Sequence, residues 1–501
     1  MSSASRSDQP LRTGVTAGRA RAVDQDTDAR TRHRILARLD RIDVWSMPFV
    51  FIGIIGLGFL FAFYDVFDIN VSFIQSCVAL KHGCTPANAV TTLRVPVVLN
   101  LAGYVIGALA LAPVSDRIGR RNMLLFTMGL TGLGSLYNAL APDYTQFVLA
   151  RVITGIGVGA DLAIVNTYVG EVAPRRNRAR WISVIFIMSA LGALLGIWLG
   201  LFLTTAPAPW PHGISFAQAS PSFTDGWRWM YAVGAMLALI GVLLRLELPE
   251  SARWLVGKGR FEEADKVVSD METVAAKHRP LGPIPDDIPL DESTLESSLA
   301  FGALFENRTY TKRVIQLLAV WFLAYITVFG FSAGFTAMLT SLKYAPPEAG
   351  LITAVGAFGF LACALFAVAF ADRLERKYWL PIGAVITVIG GVIVAEAGTK
   401  SLAIAFIGSA IVFFGFNIWV PMTYALSTES FPTRARVTGF GMVDGVGHLG
   451  GGIGVLLIAP QIPHMSVLGA MMAIAGWLVL AAIVAQFSVN TRGRHYEEIS
   501  P

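Results

Sequence analysis

Apolar stretches of about 20 residues recur along the chain and alternate with short polar loops. Each stretch is long enough to cross about 30 Å of hydrocarbon as a helix, and a longer polar segment divides them into two sets of six. The predicted spans are 48–73, 95–114, 123–141, 146–170, 181–204, 228–248, 314–340, 349–371, 380–398, 402–427, 437–460 and 466–488. The pattern predicts an all-α membrane protein with twelve transmembrane helices in two six-helix bundles, 45–248 and 314–488.

Three polar segments flank these bundles. Residues 1–44 are predicted to be a disordered cytoplasmic tail, 249–313 a cytoplasmic linker with short helices, and 489–501 a second cytoplasmic tail. The sequence has no apolar run close to Met1, so it does not predict a cleaved signal peptide. Helical periodicity predicts short helices near Thr31–Leu39, Phe261–Ala276 and Glu292–Phe305.

Composition supports the membrane assignment. The chain is 54% hydrophobic and only 15% charged, whereas a soluble domain carries about 25% charged residues. The net charge of +5 would suggest nucleic acid in a soluble chain, but 33 of the 39 Lys and Arg residues fall in the tails and in loops on one side. The positive-inside rule accounts for this bias. We therefore expect a plasma (inner) membrane protein with both termini in the cytoplasm, a lipid bilayer as its surroundings and no nucleic-acid partner.

The spacing of the three cysteines and the lack of a nucleotide-binding motif limit which ligand sites the sequence can predict. Cys77 and Cys84 fall in the first outer loop. They could form a disulfide in an oxidising compartment, or they could be two unrelated free thiols. Cys363 is expected to pack in the core. No spacing suggests a metal site or a cofactor, and no Gly-x-x-x-x-Gly-Lys run suggests ATP binding.

Two loops share a charged motif at matching positions in the two halves. The loop after span 2 contains Asp116, Arg117 and Arg120 around a glycine, and the loop after span 8 contains Asp372 and Arg373. A motif repeated in both halves indicates a duplicated architecture. The first loop, Asp-Arg-x-Gly-Arg-Arg, resembles the signature loop of the major facilitator superfamily.

Further motifs extend this resemblance over roughly residues 45–490. Arg151 with the glycines that follow it, and then Glu171 and Arg178, resembles the fourth span of the sugar-porter and organic-ion branches. The Pro249–Leu255 segment resembles the one after their sixth span, and Glu429–Arg436 resembles their loop after span 10. The resemblance implies a carrier with two six-helix bundles and alternating access. We expect a monomer that takes a small-molecule substrate together with protons.

Charged residues at the cytoplasmic membrane edge are predicted to form an inner gate. Opposite charges there could pair between helices in one state and separate in another, or they could be an ordinary solvated rim in which each pair contributes about 0–1 kcal/mol. The predicted gate residues are Asp116, Arg117, Arg120, Glu171, Arg178, Glu250, Arg253, Asp372, Arg373, Glu429, Arg434 and Arg436.

Two charges inside the membrane are candidates for proton coupling, since such charges are costly. A helical rise places Asp65 about 25 Å above the inner edge of span 1 and Arg151 about 30 Å above Glu171, so the two lie at similar depth. The family resemblance implies a coupling pair in which Asp65 binds the proton and Arg151 tunes it; a static ion pair is the alternative. Asp68, one turn further, is expected nearer the outer surface.

Other polar residues are candidates for the substrate pocket. The glycine run ending at Asp161 resembles that of phosphate–proton symporters, although the sequence that follows differs. Asp444 and His448 are spaced i, i+4 on one helix face. They could relay protons or contact substrate, or they could form a pore-facing hydrogen bond that does not titrate.

An aromatic group completes the predicted pocket. Its aromatic members, which could each instead face lipid or core, are Trp321, Tyr325, Trp419 and Tyr424, and Asn417 adds a polar group. The hydroxyl-binding pattern of sugar porters is missing from span 7, so the group favours a flat or amphipathic organic ion. We therefore predict a secondary transporter, not an enzyme, that carries a small organic acid with protons. A sugar or polyol porter (by symport or facilitated diffusion), an inorganic phosphate symporter and a membrane substrate sensor remain alternatives.

Overall fold

The computed structural model describes residues 28–85, 89–174, 177–284, 300–341, 344–398, 400–432, 435–494 and 496–500. Over these residues the secondary structure is helical, apart from one isolated bridge between Ser220 and Phe223. Spans 1 to 12 are Phe49–Leu80, Thr92–Ile118, Arg120–Leu140, Tyr144–Val172, Arg178–Thr204, Gly226–Arg245, Arg308–Ser332, Pro346–Phe370, Arg376–Glu396, Leu402–Glu429, Arg436–Ile458 and Val467–Ala485. The twelve predicted spans are confirmed.

Local sequence signals set several of the helix ends. The Asp143 side chain accepts a hydrogen bond from the Gln146 backbone N–H and caps span 4. Span 7 ends at Ser332, before its predicted limit of 340, and a separate helix follows at Phe335–Ser341. Span 1 runs beyond its predicted end at 73 and is 32 residues long, about 48 Å at a helical rise of 1.5 Å.

Helix packing repeats between the two halves. Span 1 packs on spans 5 and 6, span 2 on span 4, and span 3 on spans 4 and 6. The corresponding pairs recur in the second half: span 7 packs on spans 11 and 12, span 8 on span 10, and span 9 on spans 10 and 12. The halves meet along two seams, span 5 against span 8 and span 2 against span 11, so the molecule is a duplicated six-helix bundle.

The second seam contains two π-helical turns that face each other. Gly107–Leu111 lies in span 2 and Gly441–Gly445 in span 11. A Cβ on Gly445 would lie 2.3 Å from the Ala108 Cβ, so glycine is needed for this close approach. Such turns often occur at functional sites, and the second one carries Asp444.

The polar segments also contain helices. A helix at 28–40, the N-terminal helix, precedes span 1 and buries Ile35 and Leu39. The short helix predicted near Thr31–Leu39 is therefore confirmed, the expected disorder does not hold for residues 28–40, and residues 1–27 lie outside the described residues. The predicted helix near Glu292–Phe305 is described only from Ala300. The linker helices are Ala252–Gly257, Phe261–His278 and Ala300–Phe305.

The two ends of the bundle differ in chemistry. The basic face is the end that carries the loops after spans 2 and 8 together with the linker helices. The disulfide face is the opposite end, where Cys77 at the end of span 1 is joined to Cys84, with Cα atoms 5.9 Å apart. Of the two alternatives for these cysteines, the structure contains the disulfide, and Cys363 is a buried free thiol as expected.

Candidate functional site

A narrow cavity lies between the two halves. Spans 1, 2, 4, 7, 10 and 11 contribute its walls. Its free volume is about 40 Å³, enough for a few water molecules but not for a metabolite, so the halves must separate before a substrate can bind. The polar side chains that line it are Asp65, Asn100, Tyr104, Tyr325, Ser332, Asn417, Tyr424 and His448.

A buried ion pair forms one wall of this cavity. Arg151 Nη1 lies 2.7 Å from Asp65 Oδ1, and Arg151 Nη2 donates to the Asp65 backbone carbonyl at 3.1 Å. Asn100 donates to the Arg151 carbonyl at 2.8 Å, which links spans 1, 2 and 4. The contact expected between Asp65 and Arg151 is present; their role in coupling remains a prediction.

Asp68 also belongs to this group. It lies one turn beyond Asp65 along span 1, as expected, and it is fully buried. Its Oδ1 atom lies 3.7 Å from Arg151 Nη1, and neither of its carboxylate oxygens has a hydrogen-bond partner among the described residues. Span 1 therefore places two carboxylates beside one guanidinium.

A second polar group lies on the C-terminal half. The Asp444 carboxylate accepts hydrogen bonds from the hydroxyls of Tyr325 (2.6 Å) and Tyr104 (2.7 Å). Tyr104 belongs to span 2, so this contact crosses between the halves. The His448 ring lies between the two tyrosine rings, with centroids 3.7 and 3.9 Å away. Its Nδ1 lies 2.8 Å from the Asp444 carbonyl, and the residue lines the cavity.

Asp161 does not line the cavity, so its assignment to the substrate pocket is wrong. It forms an ion pair with Arg245, at 2.9 Å between Oδ2 and Nη2, and accepts a hydrogen bond from Thr127 at 2.8 Å. Arg245, near the end of predicted span 6 and counted with the cytoplasmic basic residues, is fully buried. Gly58 leaves the room for this pair, since a Cβ there would lie 2.1 Å from Arg245 Nη2.

The predicted aromatic group forms two layers. Tyr325, Asn417 and Tyr424 line the cavity. Trp321 lies behind them, stacked on Tyr325 and Tyr424 at centroid distances of 5.1 and 5.2 Å. Trp419 contacts Trp321 from further back, at 5.4 Å. The two tryptophans therefore support the wall and do not form it.

Three polar cavity residues were not predicted from the sequence. Asn100 and Tyr104 are spaced i, i+4 in span 2, and this polar pair on one face of an apolar helix could have identified them. Ser332 ends span 7, where the sequence predicted an uninterrupted helix.

On the basic face of the N-terminal half, Arg120 connects several acidic residues. It lies 2.9 Å from Asp116 and 3.1 Å from Glu171, and Ser251 donates to Glu171 at 2.5 Å. The Glu250 carboxylate accepts from the Arg120 backbone N–H at 3.0 Å. Burial raises the pKa of the Glu250 carboxyl, and backbone N–H donors reduce that rise without removing it.

The C-terminal half repeats this arrangement around Arg376, which lies 2.9 Å from Asp372 and 3.5 Å from Glu429. Arg376 was not predicted, although it follows Asp372 by four residues just as Arg120 follows Asp116. The network also joins the halves. These contacts are Thr438 to Asp116 at 3.1 Å, the Arg180 backbone N–H to Asp372 at 2.9 Å, and Arg436 to Glu171 at 3.8 Å.

The remaining predicted gate residues differ in their environment. Arg117 and Arg373 are exposed and form no ion pair with any residue that the structure describes. Arg253 forms an ion pair with Asp40, the last residue of the N-terminal helix. Arg178 is buried, and Arg434 lies outside the described residues.

Twelve spans in two repeated halves, with a central cavity between them and matching charged loops on one face, define a membrane transporter of the major facilitator type. The chain belongs to the family described as "Sugar (and other) transporter", whose sequence profile matches residues 46–501. The members named below are transporters and not enzymes.

Relatives support this assignment over most of the chain. It is 27% identical to the putative metabolite transport protein YyaJ of Bacillus subtilis, over 91% of this chain and 96% of that protein. It is 24% identical to the niacin transporter NiaP of Acinetobacter baylyi, over 93% and 99%. It is 29% identical to the D-xylose transporter of Levilactobacillus brevis, over 80% and 84%.

The fold also matches solved structures. The proton:xylose symporter XylE bound to 6-bromo-6-deoxy-D-glucose superposes with a TM-score of 0.70, at 21% identity, over 93% of this chain and 98% of that one.

Proposed function

We propose that this protein is a proton-coupled symporter of a small organic acid that works by alternating access. In this proposal the basic face lies in the cytoplasm of a plasma membrane. The excess of Lys and Arg on that face and the position of the disulfide on the other both support this orientation.

The observation that carries the proposal is the Asp65–Arg151 pair in the cavity wall. A buried carboxylate is held ionised by a guanidinium, so a proton that binds there must weaken the pair. Because the pair joins spans 1 and 4 directly beside the cavity, its protonation can be linked to substrate binding and to separation of the halves.

The cavity walls favour a flat acid. Tyr325 and Tyr424 offer aromatic surface, and His448 offers one polar contact. An uncompensated charge is costly in this interior, so an anionic substrate requires a compensating proton. That requirement links symport to the acid class.

A sugar porter is the second candidate, and the family assignment favours it, together with the D-xylose transporter and the xylose symporter among the similar proteins. Phosphate is less favoured, because Asp161, on which that alternative rested, is already paired with Arg245.

The test is substrate-driven proton movement into proteoliposomes loaded with a pH dye. Aromatic acids, aliphatic acids, sugars and phosphate would be added in turn to the wild-type protein and to the Asp65→Asn and Glu396→Gln variants. Glu396 is an exposed acid in span 9 and serves as the control.

We expect an acid to acidify the lumen, Asp65→Asn to abolish this flux, and Glu396→Gln to retain it. A proton flux with sugars alone would show that the substrate is a sugar and not an acid. Labelled-substrate uptake without any proton flux would reject coupling and reduce the Asp65–Arg151 pair to a structural bridge.

A further inference from the structure

Span 1 carries two buried carboxylates for one buried guanidinium. Asp65, Asp68 and Arg151 are each at most 2% exposed. If both acids were ionised, the group would carry a net negative charge inside the bundle, where an uncompensated carboxylate is very costly. Two carboxylates that share such a site resolve this cost by keeping one of them protonated.

The geometry distinguishes the two acids. Arg151 directs Nη1 to the Asp65 carboxylate at 2.7 Å and Nη2 to the Asp65 carbonyl at 3.1 Å. Asp68 is left at 3.7 Å from Nη1, beyond a hydrogen bond. Its two carboxylate oxygens accept no hydrogen bond in the described part of the chain. Asp65 therefore has the contacts that an ionised acid requires, and Asp68 does not.

Among the residues that the structure describes, no neighbour other than Arg151 supplies a positive charge to Asp68. The ionisable groups that face it are Tyr64 and Asp65 on its own span, Arg151 on span 4 and Tyr231 on span 6. The Tyr64 hydroxyl already donates to the Met230 carbonyl at 2.6 Å. On the side of span 5, Gly196 packs against the backbone: a Cβ there would lie 3.3 Å from the Asp68 nitrogen.

We propose that Asp68 carries the coupled proton in the closed form, while Asp65 remains ionised against Arg151. This rests on the proposed proton coupling, but it moves the coupled proton from the Asp65 carboxylate, where the family resemblance implies it, to that of Asp68. Asp68 lies one turn closer to the disulfide face than Asp65, so a proton that arrives from that face reaches it first. When the basic face opens, the O–H bond of Asp68 breaks and the proton leaves to water, so that Arg151 then faces two carboxylates.

The test compares Asp68→Asn with the wild type in the same proteoliposomes. Asparagine has the shape of the protonated acid but cannot release a proton. We expect substrate exchange between labelled and unlabelled pools within about threefold of wild type, with substrate-driven proton flux reduced at least tenfold. Ser72→Ala, one turn further along span 1 at another buried polar residue, should retain both activities. Asp68→Glu should recover part of the proton flux.

Infrared spectroscopy provides a measurement that does not depend on transport. The wild type at neutral pH should show the band of a protonated carboxylic acid, and Asp68→Asn should lack it, whereas Ser72→Ala should keep it. If Asp68→Asn retains wild-type proton flux and the band, the assignment to Asp68 is overturned while coupling through Asp65 stands. If the wild type moves no protons with any substrate, the proposed coupling itself fails.

Discussion

Residue 58 is a glycine, and its lack of a side chain leaves room for the buried ion pair between Asp161 and Arg245. Gly58 lies where a side chain would collide with both Arg245 and Asp161, at 2.1 and 2.3 Å from a Cβ. The pair joins spans 4 and 6 behind the cavity, and breaking one partner of such a pair is more destabilising than replacing both. The glycine is therefore a packing requirement set by charges far away in sequence.

Gly58→Ala should lower the stability of the protein, because the added methyl must displace the guanidinium or the carboxylate. Overpacking of this kind costs about 1–3 kcal/mol. Gly53→Ala is the matched control, one turn earlier in the same helix, where a Cβ meets nothing within 4 Å. Thermal unfolding in detergent should give a lower Tm for the first variant only; equal Tm values would contradict this account.

The N-terminal helix is an element that binds the linker between the two halves. Arg38 donates to Glu272 at 2.7 Å and to Ser269 at 2.8 Å, and Arg41 reaches Glu272 at 2.8 Å. The partners lie in the linker helix Phe261–His278. Spans 1 and 7 are thus connected through the basic face as well as through the bundle.

Glu272→Gln should loosen the N-terminal helix, because it removes the charge shared by two arginines. Hydrogen–deuterium exchange of residues 28–40 should become faster, by roughly 2- to 30-fold for a loss of about 0.5–2 kcal/mol. Glu262→Gln changes an exposed acid of the same linker helix and should have no effect. Unchanged exchange in Glu272→Gln would show that apolar contacts alone hold the helix.

The same contact predicts a dependence on pH. Burial alone would raise the pKa of Glu272, but hydrogen bonds from Arg38 and Arg41 outweigh it and lower the pKa. Docking is therefore fully stabilised above the ordinary value of about 4.3 and loses this contribution as the pH falls through the lowered value. Protection of residues 28–40, corrected for intrinsic exchange, should be constant from about pH 8 to pH 6 and decrease only in acid well below that ordinary value.

At the scale of the whole molecule, the two halves are joined at both ends. On the disulfide face, Asn70 donates to the Ser332 carbonyl, and Trp198 donates to the Ala354 carbonyl at 3.1 Å. On the basic face, Thr438 donates to Asp116. The structure is therefore a closed form, and transport requires one set of contacts to break while the other remains.

Thr438→Val should favour opening of the basic face, because it removes one hydrogen bond between the halves without changing charge. A loss of about 0.5–1.5 kcal/mol would raise the open population about 2- to 13-fold. Spin labels at Arg117→Cys and Arg373→Cys would report the distance between the halves, since both positions are exposed. Thr131→Val, which removes a hydrogen bond within span 3, is the control; identical distance distributions in both variants would exclude this role for Thr438.

The sequence predicted the spans, the repeated loops and the Asp65–Arg151 contact, because these depend on hydrophobic length and on depth along a helix. It did not predict that Asp68 shares Arg151 with Asp65, because hydrophobic length gives depth but not the direction in which a side chain points. It placed Asp161 in the substrate pocket, although the Asp161 carboxylate pairs with Arg245, 84 residues away in the chain. Side-chain direction around a helix was the missing quantity in each case.

The docking of the N-terminal helix also has a consequence for the order in which the molecule is made. Its partner, the linker helix Phe261–His278, is synthesised only after spans 1 to 6. At roughly 5–20 residues per second, the ribosome needs about 10–50 s to travel from one to the other. During that time Arg38 and Arg41 have no Glu272 to pair with. A helix that is made before span 1 is thus among the last parts of the N-terminal half to reach its final place.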